Sequence, residues 1–126
     1  MNVVITKVEY PYVSFISSYG EGIAYTSSQQ FEPGGIHSVE FDILADLGSK
    51  ENTKIGTNRK AGFYFDGSGT LIVALVESID EDDSMCLRIA TDCIIEAYRN
   101  DDSIKPGDRL EIRLLKGQFK MTSIGS

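Results

Sequence analysis

The groups best placed to do chemistry in this chain are carboxylates, and nine of the nineteen fall between residues 77 and 102. They are Glu77, Asp80, Glu81, Asp82, Asp83, Asp92, Glu96, Asp101 and Asp102. Only Arg88 and Arg99 oppose them there, so the stretch carries a formal −7, which is the charge of the whole chain. Such a cluster acts through its field: it attracts cations and steers a basic macromolecule toward itself. It does not spell a calcium loop. That loop spaces its ligands at alternate positions around a central glycine, whereas Asp80 to Asp83 are consecutive acids without one. The reading for Asp80–Asp83 is a solvated turn, and for the whole set of nine a partner-binding surface.

Catalysis would have to run through His37, the only histidine, oriented by an acid and facing a nucleophile. There is no Gly-x-Ser-x-Gly elbow, and no spacing ties Cys86 or Cys93 to His37. Both cysteines sit in strand-like apolar runs and read as small core residues. Without an export signal a disulfide is not expected, and one histidine with two separated cysteines does not supply the four ligands of a zinc site. Gly67-Ser68-Gly69 leads into Thr70 and a strand-like run rather than a helix, so it is a hairpin turn and not a phosphate loop. Paired carboxylates for glycoside chemistry would usually be joined by aromatic platforms, and the chain has no tryptophan. No catalytic, cofactor-binding or metal-binding residue is expected.

Along the chain the hydrophobic period is that of strands nearly throughout. Val39, Phe41 and Ile43 alternate with Ser38, Glu40 and Asp42, and Leu110, Ile112 and Leu114 alternate with Arg109, Glu111 and Arg113. That pattern marks antiparallel strands wet on one side. Leu71 to Val76 is apolar without interruption, which predicts a central strand covered on both faces. With 63–65 and 85–90 it makes a meander, continued by Cys93 to Tyr98 after a bend at Thr91-Asp92. Two further strands, Asn2 to Tyr10 and Tyr12 to Ile16, are broken by Pro11. A polar loop spans Ser27 to Gly35, turns fall at 100–103 and 105–108, and Phe119 to Ile124 reads as a short edge strand. Leu44 to Lys50 allows one helical turn. The fold class is therefore all-β: one domain over residues 1–126, an antiparallel barrel or sandwich of eight to ten strands with little helix.

At 126 residues and 41% hydrophobic the chain can bury a core unaided. No apolar run nears the roughly 20 residues that cross a bilayer as a helix. The N-terminal segment has no basic leader or cleavage site, so the expected compartment is the cytoplasm. A pI near 4.6 argues against nucleic acid as a partner, because phosphates call for Lys and Arg. Lys50, Lys54, Arg59 and Lys60 form the one basic cluster, read as a solvated loop.

Two resemblances follow from particular segments. Ile104-Lys105-Pro106-Gly107-Asp108-Arg109-Leu110-Glu111-Ile112 looks like the Gly-Asp lead into an alternating strand found in small OB-like and SH3-like barrels. Ala61-Gly62-Phe63-Tyr64-Phe65-Asp66-Gly67 through Ile89, followed by Asp92-Cys93-Ile94-Ile95, resembles the small, acidic, single-domain immunity proteins of bacterial contact-dependent and polymorphic toxin systems. That class shares no motif and assigns no residue here. The resemblance implies a stoichiometric inhibitor that neutralises a basic toxin domain, such as a nuclease, through its acidic surface, as a monomer or weak homodimer, without nucleic acid, membrane or cofactor. Phe63, Tyr64 and Tyr98 are candidate anchors for that contact. The alternative is a ligand-binding barrel or small enzyme with a pocket near His37. A third is a subunit of a larger assembly pairing through 119–124.

Overall fold

The computed structural model describes residues 1–28 and 30–124, and its chain is all-β, a closed five-strand barrel with further strands outside it. The barrel begins with β1 (Asn2–Glu9), β2 (Tyr12–Ser17) and β3 (Gly20–Tyr25), an antiparallel meander. β4 (Ile36–Ile43) returns to pair with β1, and the last strand, β11 (Phe119–Ser123), pairs with β4. A single parallel step, Lys120 beside Tyr25, joins β11 to β3 and closes the ring. Residues 119–124 are thus not an edge strand: β11 has a neighbour on each side, and Phe119 and Met121 are fully buried. Closure removes the exposed ladder that an edge would offer.

The remaining strands lie outside the barrel. β5 (Thr53–Ile55), β6 (Gly62–Phe65), β7 (Gly69–Ile79), β8 (Ser84–Ala90), β9 (Cys93–Tyr98) and β10 (Arg109–Leu115) are organised around β7. β10 runs along one edge of β7 with β5 beyond it; β6 and then β8 share the other edge, and β9 pairs only with β8. β7 is the central strand its apolar run predicts, buried continuously from Gly69 to Ala74. The meander β6–β7–β8–β9 has the expected turns at 66–69, 80–83 and 91–92. The Gly-Asp lead at 107–108 opens β10 as expected, but β10 belongs to the outer sheet and not to the barrel. The segment 44–50 is not helical. Leu47 is drawn out to bridge Arg99, with its amide donating to the Tyr98 carbonyl at 2.7 Å, and that pairing competes with any helical turn. Among the described residues the only helix is a single 3-10 turn, Lys116–Gln118, and none is long and apolar enough to cross a membrane.

Barrel and outer sheet share one core. Phe15, Phe41 and Phe119 fill the barrel, with ring centroids 4.9 to 6.4 Å apart, and Phe63 reaches in from β6 to within 5.1 Å of Phe41. The reach is possible because β3 and β6 touch backbone to backbone: Gly20 lies opposite Phe63, and the Phe63 amide donates to the Tyr19 carbonyl at 2.8 Å. A Cβ on Gly20 would stand 1.9 Å from the Phe63 carbonyl oxygen, and its φ of +120° is one that side-chain-bearing residues avoid. Gly20→Ala is therefore expected to separate the two parts, lowering the urea midpoint and exposing Phe63. Phe119→Ala is expected to cost ~3–5 kcal/mol by cavity formation in the same unfolding experiment.

Candidate functional site

The acidic surface is built on β7, β8 and β9. Its first part is the turn between β7 and β8. The Asp80 amide donates to the Ser84 carbonyl (2.8 Å) and the Asp83 amide to the Asp80 carbonyl (3.0 Å). Ser84 donates from its amide (3.1 Å) and its hydroxyl (2.7 Å) to Asp82 Oδ1, and these bonds hold the Asp82 carboxyl below the ordinary range. Asp83 takes a positive φ of 68°, which aspartate tolerates better than most residues. Four consecutive acids thus form an ordered turn, closed by its backbone bonds and by the Asp82 carboxylate that takes the Ser84 amide.

The stretch after β9 folds onto the same end. The Arg99 amide donates to the Asp83 carbonyl (3.0 Å), its Nε to Asp83 Oδ1 (3.0 Å) and its Nη1 to the Ile104 carbonyl (2.7 Å). Asp101 accepts from the Ser103 hydroxyl and amide and from the Ser49 amide and hydroxyl, donors that hold its carboxyl far below the usual range. Asp102 is exposed beside it. Glu96, outward on β9, lies opposite Cys86 and one outward position from Tyr98, which faces Ser84 at this end.

The nine carboxylates are therefore not one uniform cluster. Glu77, the extra residue of a bulge where β7 meets β8, is paired with Arg88 at 2.9 Å, and that hydrogen bond holds its carboxyl low. Asp83 is paired with Arg99. Asp92 sits in the two-residue turn at the opposite end of β8, a strand's length or roughly 20 Å away at ~3.3 Å per residue. What gathers at one end is Asp80, Glu81, Asp82 and Asp102, with Asp101 in place beside them and Glu96 farther along β9; among the described residues neither those four nor Glu96 is ion-paired.

The side chains between these acids were less legible in the sequence. The outward face of the three strands carries Leu75, Arg88 and Ile94 in one row, Cys86 and Glu96 in the next, and Tyr98 beyond Ser84. Leu75, Ile94 and Tyr98 are 37%, 49% and 46% exposed. The even positions 94, 96 and 98 in Cys93–Tyr98 were the available signal. Phe63 is buried in the core and cannot anchor a partner, and the Tyr64 hydroxyl is held by the Lys60 carbonyl at 2.5 Å under Arg59.

Both cysteines are free. Cys93 is in the core, where burial pushes its thiol up to about 11. Cys86 is instead on the outer face, half-buried, its thiol raised by burial and then by the Glu77 carboxylate 4.0 Å away. His37 lies edge-on to Phe31 at 4.8 Å, with Nδ1 3.4 Å from Ser123 Oγ, its one hydrogen-bond partner among the described residues. The basic residues collect across the sheet. Lys54 on β5 and Arg109 and Arg113 on β10, with Arg59 nearby, flank Glu111, which takes a hydrogen bond from Thr57 and lies 3.7 Å from Arg59. No family model, curated protein or solved structure matches this chain.

The depressed carboxyls carry a pH signature. A carboxyl whose folded value lies below its unfolded one stabilises the fold above the unfolded value, near ~4, and that stability is lost as pH falls toward the folded value. Asp101, Asp82 and Glu77 all have that sign. Urea midpoints are therefore expected to drop below pH ~4, and Asp101→Asn is expected to flatten that drop while lowering the midpoint at neutral pH.

Proposed function

We propose that this chain is a stoichiometric protein inhibitor of the immunity class, which in the bacterial cytoplasm binds a basic toxin domain and covers the cationic surface the toxin needs for its substrate. The observation that carries the reading is the set of carboxylates left without internal cations at one end of a three-strand sheet. Asp80, Glu81, Asp82 and Asp102 stand on ordered turns and Glu96 on β9, so little backbone freedom is lost when a partner arrives. The basic strip on β5 and β10 lies across β7 from them, with Arg109 its member nearest the face, beside Leu75. Lysines and arginines that hold phosphates are the natural complement of such a surface, so a nuclease is the favoured target. The barrel interior, filled by phenylalanine rings, lends no support to a ligand pocket at His37.

The test is co-expression with the C-terminal domain of a large secreted protein, sought in the adjacent gene, followed by affinity capture and stopped-flow association. A 1:1 complex is expected, associating more slowly as salt rises. Replacing Asp80, Glu81 and Asp82 by their amides is expected to slow association at low salt by ~10-fold or more. Capture of the tagged chain without the toxin domain ends this proposal.

A further inference from the structure

We infer that the outward face of β7–β8–β9 is a docking surface for an apolar-and-cationic protein segment, with Ile94 and Tyr98 as its anchors and the surrounding carboxylates as its selector. The inference rests on the inhibitor reading for the partner's charge, but it locates the binding energy elsewhere. Leu75, Ile94 and Tyr98 are large side chains left open to water on a sheet whose other face is packed into the core. β-sheet register sets Leu75, Arg88 and Ile94 side by side across three strands, with Tyr98 two outward positions along from Glu96's neighbour Ile94. Glu77 and Glu96 stand within this surface, Asp80–Asp83 and Asp102 border one end, and Asp92 borders the other. Apolar and aromatic side chains interleaved with charged ones let one surface do both parts of an interface's work: the apolar groups supply affinity, the charges the rate and the selection.

The charges decide what covers the face. Arg88, the cation at its centre, is already committed to Glu77 at 2.9 Å and to the Ala90 and Thr91 carbonyls at 3.3 Å. Arg109, opposite Leu75 on β10, borders the face with its Nη2 on the Arg59 carbonyl at 3.1 Å. A second copy set face to face would still bring more carboxylates than unpaired cations together, and like charges brought together oppose association. A segment alternating basic and apolar side chains satisfies both parts: its apolar side chains meet Leu75, Ile94 and Tyr98, and its cations meet Glu96 and the rim.

The experiment titrates the isotope-labelled full chain with three synthetic peptides, one alternating Arg with Leu, one Arg with Ser and one Glu with Leu, and follows amide chemical shifts. The Arg–Leu peptide is expected to move the signals of Leu75, Ile94, Glu96 and Tyr98 and to bind roughly tenfold tighter than Arg–Ser, the effect of burying one or two apolar side chains. Ile94→Ser with Tyr98→Ser should erase that difference, and because both residues are exposed the double variant should melt close to the parent. Glu96→Gln should weaken both basic peptides alike. Equal binding of the two basic peptides, with shifts confined to residues 80–83 and 99–103, overturns the apolar anchor while leaving the electrostatic inhibitor standing. Equal binding of Glu–Leu, shifts from self-association of the chain alone, or no shift on this face also overturns it.

Discussion

The close approach of β3 and β6 is the constraint on which the rest of the molecule depends. A five-strand barrel of this size has room for few large side chains, and here three phenylalanines meet a fourth that arrives from outside. Phe63 can reach them only because Gly20 lets the two backbones lie in contact, with the Tyr19 carbonyl taking the Phe63 amide. Thr70 adds a second fastening, its hydroxyl donating to the Ile23 carbonyl at 2.8 Å and accepting the Ile23 amide at 3.0 Å. The outer sheet is thus not a flap on the barrel but part of one core. β7 inherits a fixed position from β6, and β8 and β9 inherit theirs from β7.

The alternating runs were legible because each lies on a sheet with one wet face, so period two survives in β4 and β10. Leu71–Val76 was legible for the opposite reason: a strand covered on both sides shows no alternation at all. Closure could not be read. Phe119 to Ser123 has the length and position of an edge strand, and only the long return from β4, through seven intervening elements, brings a partner to each side of it. The segment 44–50 misled because its local composition permits a helical turn, whereas its backbone is claimed by Arg99, some fifty residues away. Phe63, in the run Phe63-Tyr64-Phe65, has nothing that marks which ring enters the core.

The same limit applies to the acidic surface. Charge counting locates the stretch whose formal charge equals that of the whole chain. Counting could not tell which carboxylates keep their field. Glu77 and Asp83 are opposed by arginines across strand and turn, and Asp101 is wrapped by four donors from two serines. Asp92 is sent to the far end by a hairpin whose two residues give it nowhere else to go. These outcomes depend on pairing registers, which fix neighbours that sequence separation hides.

Arg88 and Arg99 therefore matter less as neutralising charges than as clamps. An exposed ion pair contributes little on its own, about 0–1 kcal/mol. Each of these arginines, however, also binds backbone carbonyls, which a lysine's point charge would do with less geometric definition. Arg99 joins the Asp83 side chain to the Ile104 carbonyl and so fastens the 80–83 turn to the 99–104 turn. Arg88 joins the bulged Glu77 to the carbonyls of Ala90 and Thr91 and so fastens the middle of the sheet to its far turn. Two cations spent in this way cancel two carboxylates and hold the remaining ones in place. A carboxylate on a fixed backbone has less freedom to surrender to any cation than one on a mobile loop.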